Sequence, residues 1–204
     1  MKSKKSRRNF IKKSSAVGAG IFIVPRNVLG GAGYTSPSDQ LNLAAIGSGG
    51  KGISDIANAS VNGRERVAAL CDVDFSGSAK DSVAKFPKAK LYADYRIMLE
   101  EMKEIDAVTI STPDHVHGPA AKFCMERGKH VYVQKPMTHN IREARLLTQM
   151  ARDQKVVTQM GNQGHSETNY FQFKAWAEAG IIKDVTAITA HMNLGRRWHG
   201  WDTN

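Results

Sequence analysis

Cysteine is scarce, with two in 204 residues. Cys71 and Cys124 lack the close spacing of a metal knuckle, and neither is assigned a function. They read as buried, reduced thiols, with Cys71 closing a predicted strand and Cys124 in a predicted helix; a disulfide between them in an exported protein is the alternative. Long hydrophobic runs are also missing. The longest apolar stretch, residues 16–24, is shorter than the roughly 20 residues that span a bilayer, which argues against a permanent membrane anchor. Acidic residues are absent from positions 1–30, although Lys2, Lys4, Lys5, Arg7, Arg8, Lys12, Lys13 and Arg26 all fall there. Eight of the ten net positive charges therefore belong to the N-terminus. Without those eight, 21 basic residues face 19 acidic ones. No basic stripe remains to carry a nucleic-acid footprint.

A basic start containing Arg7-Arg8, followed by a short apolar run, describes a twin-arginine export signal. Residues 1–33 are read as that signal and its linker, with the export machinery as a partner and the periplasm as the destination. Twin-arginine export carries folded proteins, so a nucleotide cofactor would be taken up before export.

The first apolar run after the signal, Leu43-Ala-Ala-Ile46, breaks into Gly47-x-Gly49-x-x-Gly52 and then a helix-compatible sequence. Strand, glycine turn and helix N-terminus in that order make a site for a dinucleotide pyrophosphate, with Gly50 also in the loop. Free amides and the positive end of the helix dipole face the anion. A P-loop is excluded, because Ile53-Ser54 follows Gly52 where Lys-Ser or Lys-Thr would be needed. A second apolar run ends in Asp72, 20 positions beyond Gly52. At that spacing a carboxylate meets the adenosine ribose hydroxyls. With Asp74 close by and no Arg or Lys beside them in sequence, the cofactor is read as NAD rather than NADP.

Candidate strands at 41–46, 67–72, 107–111, 130–134 and 156–160 alternate with candidate helices at 53–60, 78–86, 95–102, 119–127 and 141–154. Nearly continuous apolar strands between helices predict an α/β fold, a doubly wound parallel sheet covered on both faces. Within the last helix, Ile141, Ala144, Leu147 and Ala151 form one apolar stripe. The Rossmann-type domain is placed at 40–160. From residue 161 the rhythm changes: an aromatic helix at 169–179 and a long strand at 185–193 open a second domain, 161–204. Asn162, Gln163 and His165 are candidates for the binding cleft, and Trp198, His199 and Trp201 for stacking on a sugar.

Two further turns carry a resemblance. Thr112-Pro113 ends one strand and is followed by His115 and His117. Gln134-Lys135-Pro136 ends the next. With the glycine loop and the export signal, this ordered set resembles the Gfo/Idh/MocA oxidoreductases, and most of all the exported Bacteroidetes-type members, from about residue 41 onward. The resemblance implies a Rossmann domain followed by an open-sheet α/β domain holding a sugar site. It implies cofactor contacts from Thr112, Pro113, His117 and Gln134, and Lys135 as the catalytic group beside the nicotinamide and substrate hydroxyl. The family pattern there is Glu-Lys-Pro. Gln134 departs from it, removing a charge partner that would hold the proton on Lys135. His115 and His117 could ligate a metal, but no third ligand accompanies them, and no metal is expected.

The resemblance also implies an Asp-x-x-x-His relay in the second domain, and no such pair occurs here. The chain is accordingly expected to be the N-terminal portion of a longer protein. The reaction expected is hydride transfer between nicotinamide and a sugar, polyol or glycoside. The alternatives are an NAD-dependent glycosidase that oxidises, eliminates, hydrates and re-reduces, and a truncated nucleotide-binding fragment without turnover. The sequence leaves the oligomeric state open, a homo-oligomer included.

Overall fold

The structure, a computed structural model, describes residues 36–190. The export signal and the Trp198, His199 and Trp201 cluster lie outside them. The chain divides after Gly161 into two units.

In the first unit six strands run in chain order: β1 (Asn42–Ile46), β2 (Arg66–Cys71), β3 (Lys90–Tyr92), β4 (Ala107–Ile110), β5 (His130–Gln134) and β6 (Thr158–Gly161). Between them lie α1 (Lys51–Ala59), α2 (Lys80–Lys85), α3 (Tyr95–Glu101), α4 (Asp114–Met125) and α5 (Ile141–Asp153). Every pairing is parallel, and the sheet order is β3-β2-β1-β4-β5-β6. The order reverses between β1 and β4, and the crevice beyond the carboxyl ends of those two strands is where doubly wound sheets take their ligands.

Strand β1 shows why the sheet reads as an unbroken apolar run. Ala44 and Ile46 pack on one face with Met98, Leu99, Val108, Ile110 and Met125, while Leu43 and Ala45 pack on the other with Ile56 and Leu70. Side chains alternate faces at period two, and both faces are covered, so both sets are apolar. Cys71 and Cys124 are free and share the first of these clusters. Burial pushes both thiols up to about 12.

Several boundaries differ from the sequence expectation. The three-residue edge strand β3 is too short to show alternation. Helix α4 starts at Asp114, five residues before the expected start at Pro119. Proline favours a first turn, yet here it lies inside the helix, costing one backbone hydrogen bond on an exposed face. In α5, Leu147 is buried and Met150 and Ala151 join the core, whereas Ile141 stays exposed at the helix start.

The second unit contains a 3-10 turn (Gln163–Ser166) and α6 (Thr168–Glu178), the aromatic helix. His165, Tyr170 and Phe171 stack edge to face in sequence. The strand expected at 185–193 is not formed over residues 185–190. Its apolar pattern suits a strand, but a strand needs a hydrogen-bonded neighbour, and none pairs with it among the described residues.

Candidate functional site

The glycine loop joins β1 to α1 in an approach so close that side chains are excluded. A Cβ at Gly52 would lie 1.9 Å from the Gly47 carbonyl oxygen. At Gly47, where φ is +75°, it would lie 2.7 Å from the Ser111 and Thr112 backbone, and at Gly49 2.7 Å from the Ser78 backbone. Gly50 meets nothing but adopts φ +51°. The loop thus lies flat against the start of the turn after β4, and helix α1 presents its N-terminus beside it.

Asp72, the first residue after β2, reaches back to this loop. Its Oδ2 accepts the amides of Ser48 at 2.8 Å and Gly49 at 3.0 Å, and its Oδ1 accepts the Asp74 amide at 3.1 Å. Asp74 in turn accepts the amides of Gly77 at 2.8 Å and Ser78 at 3.0 Å, and those donors hold its carboxyl below the usual carboxylate range. Asp72 therefore organises the loop.

A cleft of about 640 Å³ opens over these residues, lined by Gly47, Gly49, Gly50, Asp72, Thr112 and Pro113 among others. This size suits a small-molecule or cofactor site. The cleft wall also includes Tyr95 and Arg96, which sequence proximity to Asp72 did not reveal. The Arg96 guanidinium is forked onto Asp94, at 2.9 and 3.1 Å from Nε and 2.6 Å from Nη2. It is thereby held by a carboxylate of its own chain. Thr112 Oγ1 and Ser48 Oγ are buried and have no hydrogen-bond partner. Thr112 lines the cleft, and its unpartnered hydroxyl beside the glycine loop fits a polar cofactor such as NAD.

His117 and Gln134, expected as cofactor contacts, are placed differently. The His117 ring is buried at 1% exposure, with Nδ1 2.7 Å from the Pro136 carbonyl oxygen and Nε2 2.8 Å from that of Thr112. Each ring nitrogen faces a carbonyl oxygen at hydrogen-bond distance, so the buried ring is enclosed between the two turns. His115 on the same helix is exposed, so the two rings do not share a metal site. Gln134 is buried at 5% exposure: its Nε2 donates to Asp55 Oδ2 at 2.9 Å, and its Oε1 accepts the Lys135 amide at 3.3 Å. The amide faces the protein interior because a buried carboxylate awaits it there.

That carboxylate, Asp55 on α1, was missed by the sequence reading. It is 6% exposed and also accepts a hydrogen bond from Ser111 Oγ at 2.7 Å and an ion pair from Lys51. Lys135 is exposed at the end of β5 and makes no side-chain hydrogen bond or ion pair among the described residues. It precedes a cis bond to Pro136. Asn162, Gln163 and His165 make an exposed turn in the second unit, where Asn162 Nδ2 and His165 Nδ1 lie 3.2 Å apart.

Comparison with known proteins agrees with the fold. A Glycosyl hydrolase family 109 protein from Solibacter usitatus is 31% identical over 157 residues, covering 69% of this chain and 35% of its own. Inositol 2-dehydrogenase 2 from Saccharopolyspora erythraea is 27% identical over 159 residues, covering 76% and 46%. Among solved structures, a dehydrogenase from Thermus thermophilus in complex with NAD and α-ketoglutarate superposes with a TM-score of 0.61 at 18% identity, covering 71% of this chain and 48% of that one. The chain thus spans between a third and a half of the length of these proteins. The family model for Gfo/Idh/MocA, an oxidoreductase family with an NAD-binding Rossmann fold, matches residues 41–162. The chain belongs to the Gfo/Idh/MocA oxidoreductase family, whose Rossmann fold binds NAD.

Proposed function

We propose that this protein is an NAD-dependent oxidoreductase that moves a hydride between the nicotinamide and a hydroxyl-bearing carbon of a sugar, polyol or glycoside. The observation that carries this reading is the glycine loop laid against Asp72 at the mouth of a cleft that ends at the Thr112-Pro113 turn. Bound NAD supplies the hydride acceptor or donor. Gly47, Gly49, Gly50 and Gly52 admit the pyrophosphate, Asp72 takes the adenosine ribose, and Thr112 and Pro113 border the path toward the nicotinamide. Lys135 sits at the carboxyl end of β5, next to the β4 turn in the sheet and tied to it through His117. There the lysine as an ammonium would donate a proton to the oxygen that becomes a hydroxyl when hydride arrives, and as the neutral amine would take the hydroxyl proton when hydride departs. The test is calorimetric NAD binding, followed by NADH formation with a panel of polyols and sugars. NAD binding with no turnover on any of them would count against the dehydrogenase reading.

A second reading follows from the Glycosyl hydrolase family 109 relatives, found also in Shewanella baltica at 31% identity. In it, the same hydride chemistry serves transient oxidation, and a glycoside is cleaved. Release of nitrophenol from nitrophenyl glycosides without net NADH supports this reading, and NADH accumulation without release supports the first. We further propose that the Arg7-Arg8 segment sends the folded protein to the periplasm through the twin-arginine machinery. Retention of an R7K/R8K variant in the cytoplasm, with the parent recovered from the periplasm, is the expected outcome.

A further inference from the structure

Asp55 itself does not line the cleft, although its partners Lys51 and Ser111 do, and nothing in the proposed chemistry uses it. It is the one buried carboxylate among the described residues, and three side-chain donors meet it. Three elements converge on it. Lys51 comes from the glycine end of α1, Ser111 from the end of β4, and Gln134 from the end of β5. Gln134 continues the chain of contacts, because its other amide atom accepts the backbone N–H of Lys135. A continuous polar path therefore runs from Lys51, which lines the nucleotide cleft, through Asp55 and Gln134 to the lysine turn.

We propose that Asp55 is a positioning residue that ties the nucleotide loop to the Lys135 turn, and that Gln134 is the neutral partner this carboxylate demands. The proposal rests on the reading of Lys135 given above. Each donor at Asp55 is accounted for: one ammonium, one hydroxyl and one amide. A glutamate at 134 would set a second carboxylate oxygen about 3 Å from the first, in a buried site where like charges repel strongly. Position 134 must therefore donate as long as position 55 is acidic. The requirement is mutual. In D55N/Q134E the amide and the carboxylate change places, so one amide donor and one carboxylate still face each other across the same contact, and the double variant should recover what Q134E and D55N each lose.

The experiment measures hydrogen exchange of the segment around Lys135, with and without NAD, in the parent, D55N, Q134E and D55N/Q134E, beside thermal melting and calorimetric NAD affinity. In the parent, NAD is expected to slow exchange at the Lys135 turn. D55N and Q134E should lose that protection, and both should melt at lower temperature. The double variant should regain protection and melt above Q134E, because contacting residues couple by about 0.5–3 kcal/mol, a factor of roughly 2 to 150. Where turnover is measurable, Q134E should lower kcat about tenfold while the nucleotide KM moves less than about twofold, a split that general collapse of the site would not produce.

Additive losses in the double variant would overturn the proposal, as would a Q134E that melts and protects like the parent. If Q134E alone fails to fold, folding of the double variant supports the pairing and its failure overturns it. A parent that does not bind NAD by calorimetry would instead refute the nucleotide reading. The melting comparison would then still decide whether Asp55 and Gln134 are coupled.

Discussion

Replacing Asp72 with alanine removes two interactions at once, and the structure allows them to be separated. One is the expected contact to a ribose. The other is the set of amide hydrogen bonds from Ser48, Gly49 and Asp74. Hydrogen bonds to a charged group contribute about 1.5–3 kcal/mol each when buried. Asp72 is only partly buried, so water replaces part of what is lost, and about 2–3 kcal/mol in total is a reasonable figure for D72A. For a unit of this size that corresponds to a fall of roughly 8–12 °C in melting temperature. D72N keeps one acceptor oxygen for the loop amides but no charge, and should lose about half as much. In calorimetry, D72A should weaken NAD by about tenfold or more. The ribose part is isolated with an NAD analogue lacking the adenosine 2′-hydroxyl. The parent should prefer NAD over the analogue, and D72A should bind both alike. An unchanged melting temperature would refute the loop-organising role. A preference for NAD that survives in D72A would refute the ribose assignment while leaving the loop role standing.

Gly52→Ala places a methyl group 1.9 Å from a backbone oxygen that cannot move aside. It should cost about 3 kcal/mol and abolish NAD binding, whereas Gly50→Ala meets open space and should cost about 1–2 kcal/mol for its positive φ. Melting curves with and without NAD distinguish the two, and equal effects would contradict the loop geometry. Lys135→Ala should leave NAD affinity within about twofold and lower turnover about 100-fold or more, a loss of general acid–base assistance; full retained activity would end its catalytic role. Cys71 and Cys124, raised from 9.0 to about 12 chiefly by burial, add a term to the pH dependence. A raised folded-state value means the stabilisation is fully present below pH 9 and is lost as pH rises from 9 toward 12. Melting temperature should fall across that window, less steeply in C71A and C124A, and neither thiol should be alkylated at pH 8 without unfolding. Rapid labelling of the native protein would contradict the burial.

What was legible in the sequence was local. The alternation of apolar strands with helices follows from periodicity, and Gly47, Gly49, Gly52 and Asp72 announce themselves by spacing within 30 residues. What was hidden depends on partners far along the chain. Asp55 reads as an ordinary polar residue of α1, because Ser111 and Gln134 lie 56 and 79 positions away. Gln134 therefore stood out in the sequence as a departure from Glu-Lys-Pro, and the reason for it appears only when Asp55 is seen facing it. His117 could be placed near the Thr112-Pro113 turn, but its second partner, the Pro136 carbonyl, is 19 residues on. That contact encloses the ring between two turns. The strand expected at 185–193 marks the opposite limit: an apolar pattern states a preference, and only a neighbouring strand fulfils it.

The commitments of the loop amides narrow where an anion can bind. Gly47 N–H bonds the Cys71 carbonyl, Ser48 and Gly49 N–H bond Asp72, and Gly52 N–H bonds the Gly49 carbonyl. Gly50 and Lys51 are left as the loop amides without an acceptor among the described residues. Gly50 is the residue preceding α1 and Lys51 its first, so their N–H groups point out of the helix N-terminus with the positive end of its dipole behind them. Asp72 occupies the Ser48 and Gly49 amides, which places its negative charge on those two donors. The Lys51 side chain is drawn down to Asp55, which keeps it from blocking the amides above it. The two carboxylates thus divide the loop between them: Asp72 sets its shape, and Asp55 directs the lysine that lies beside its two free donors.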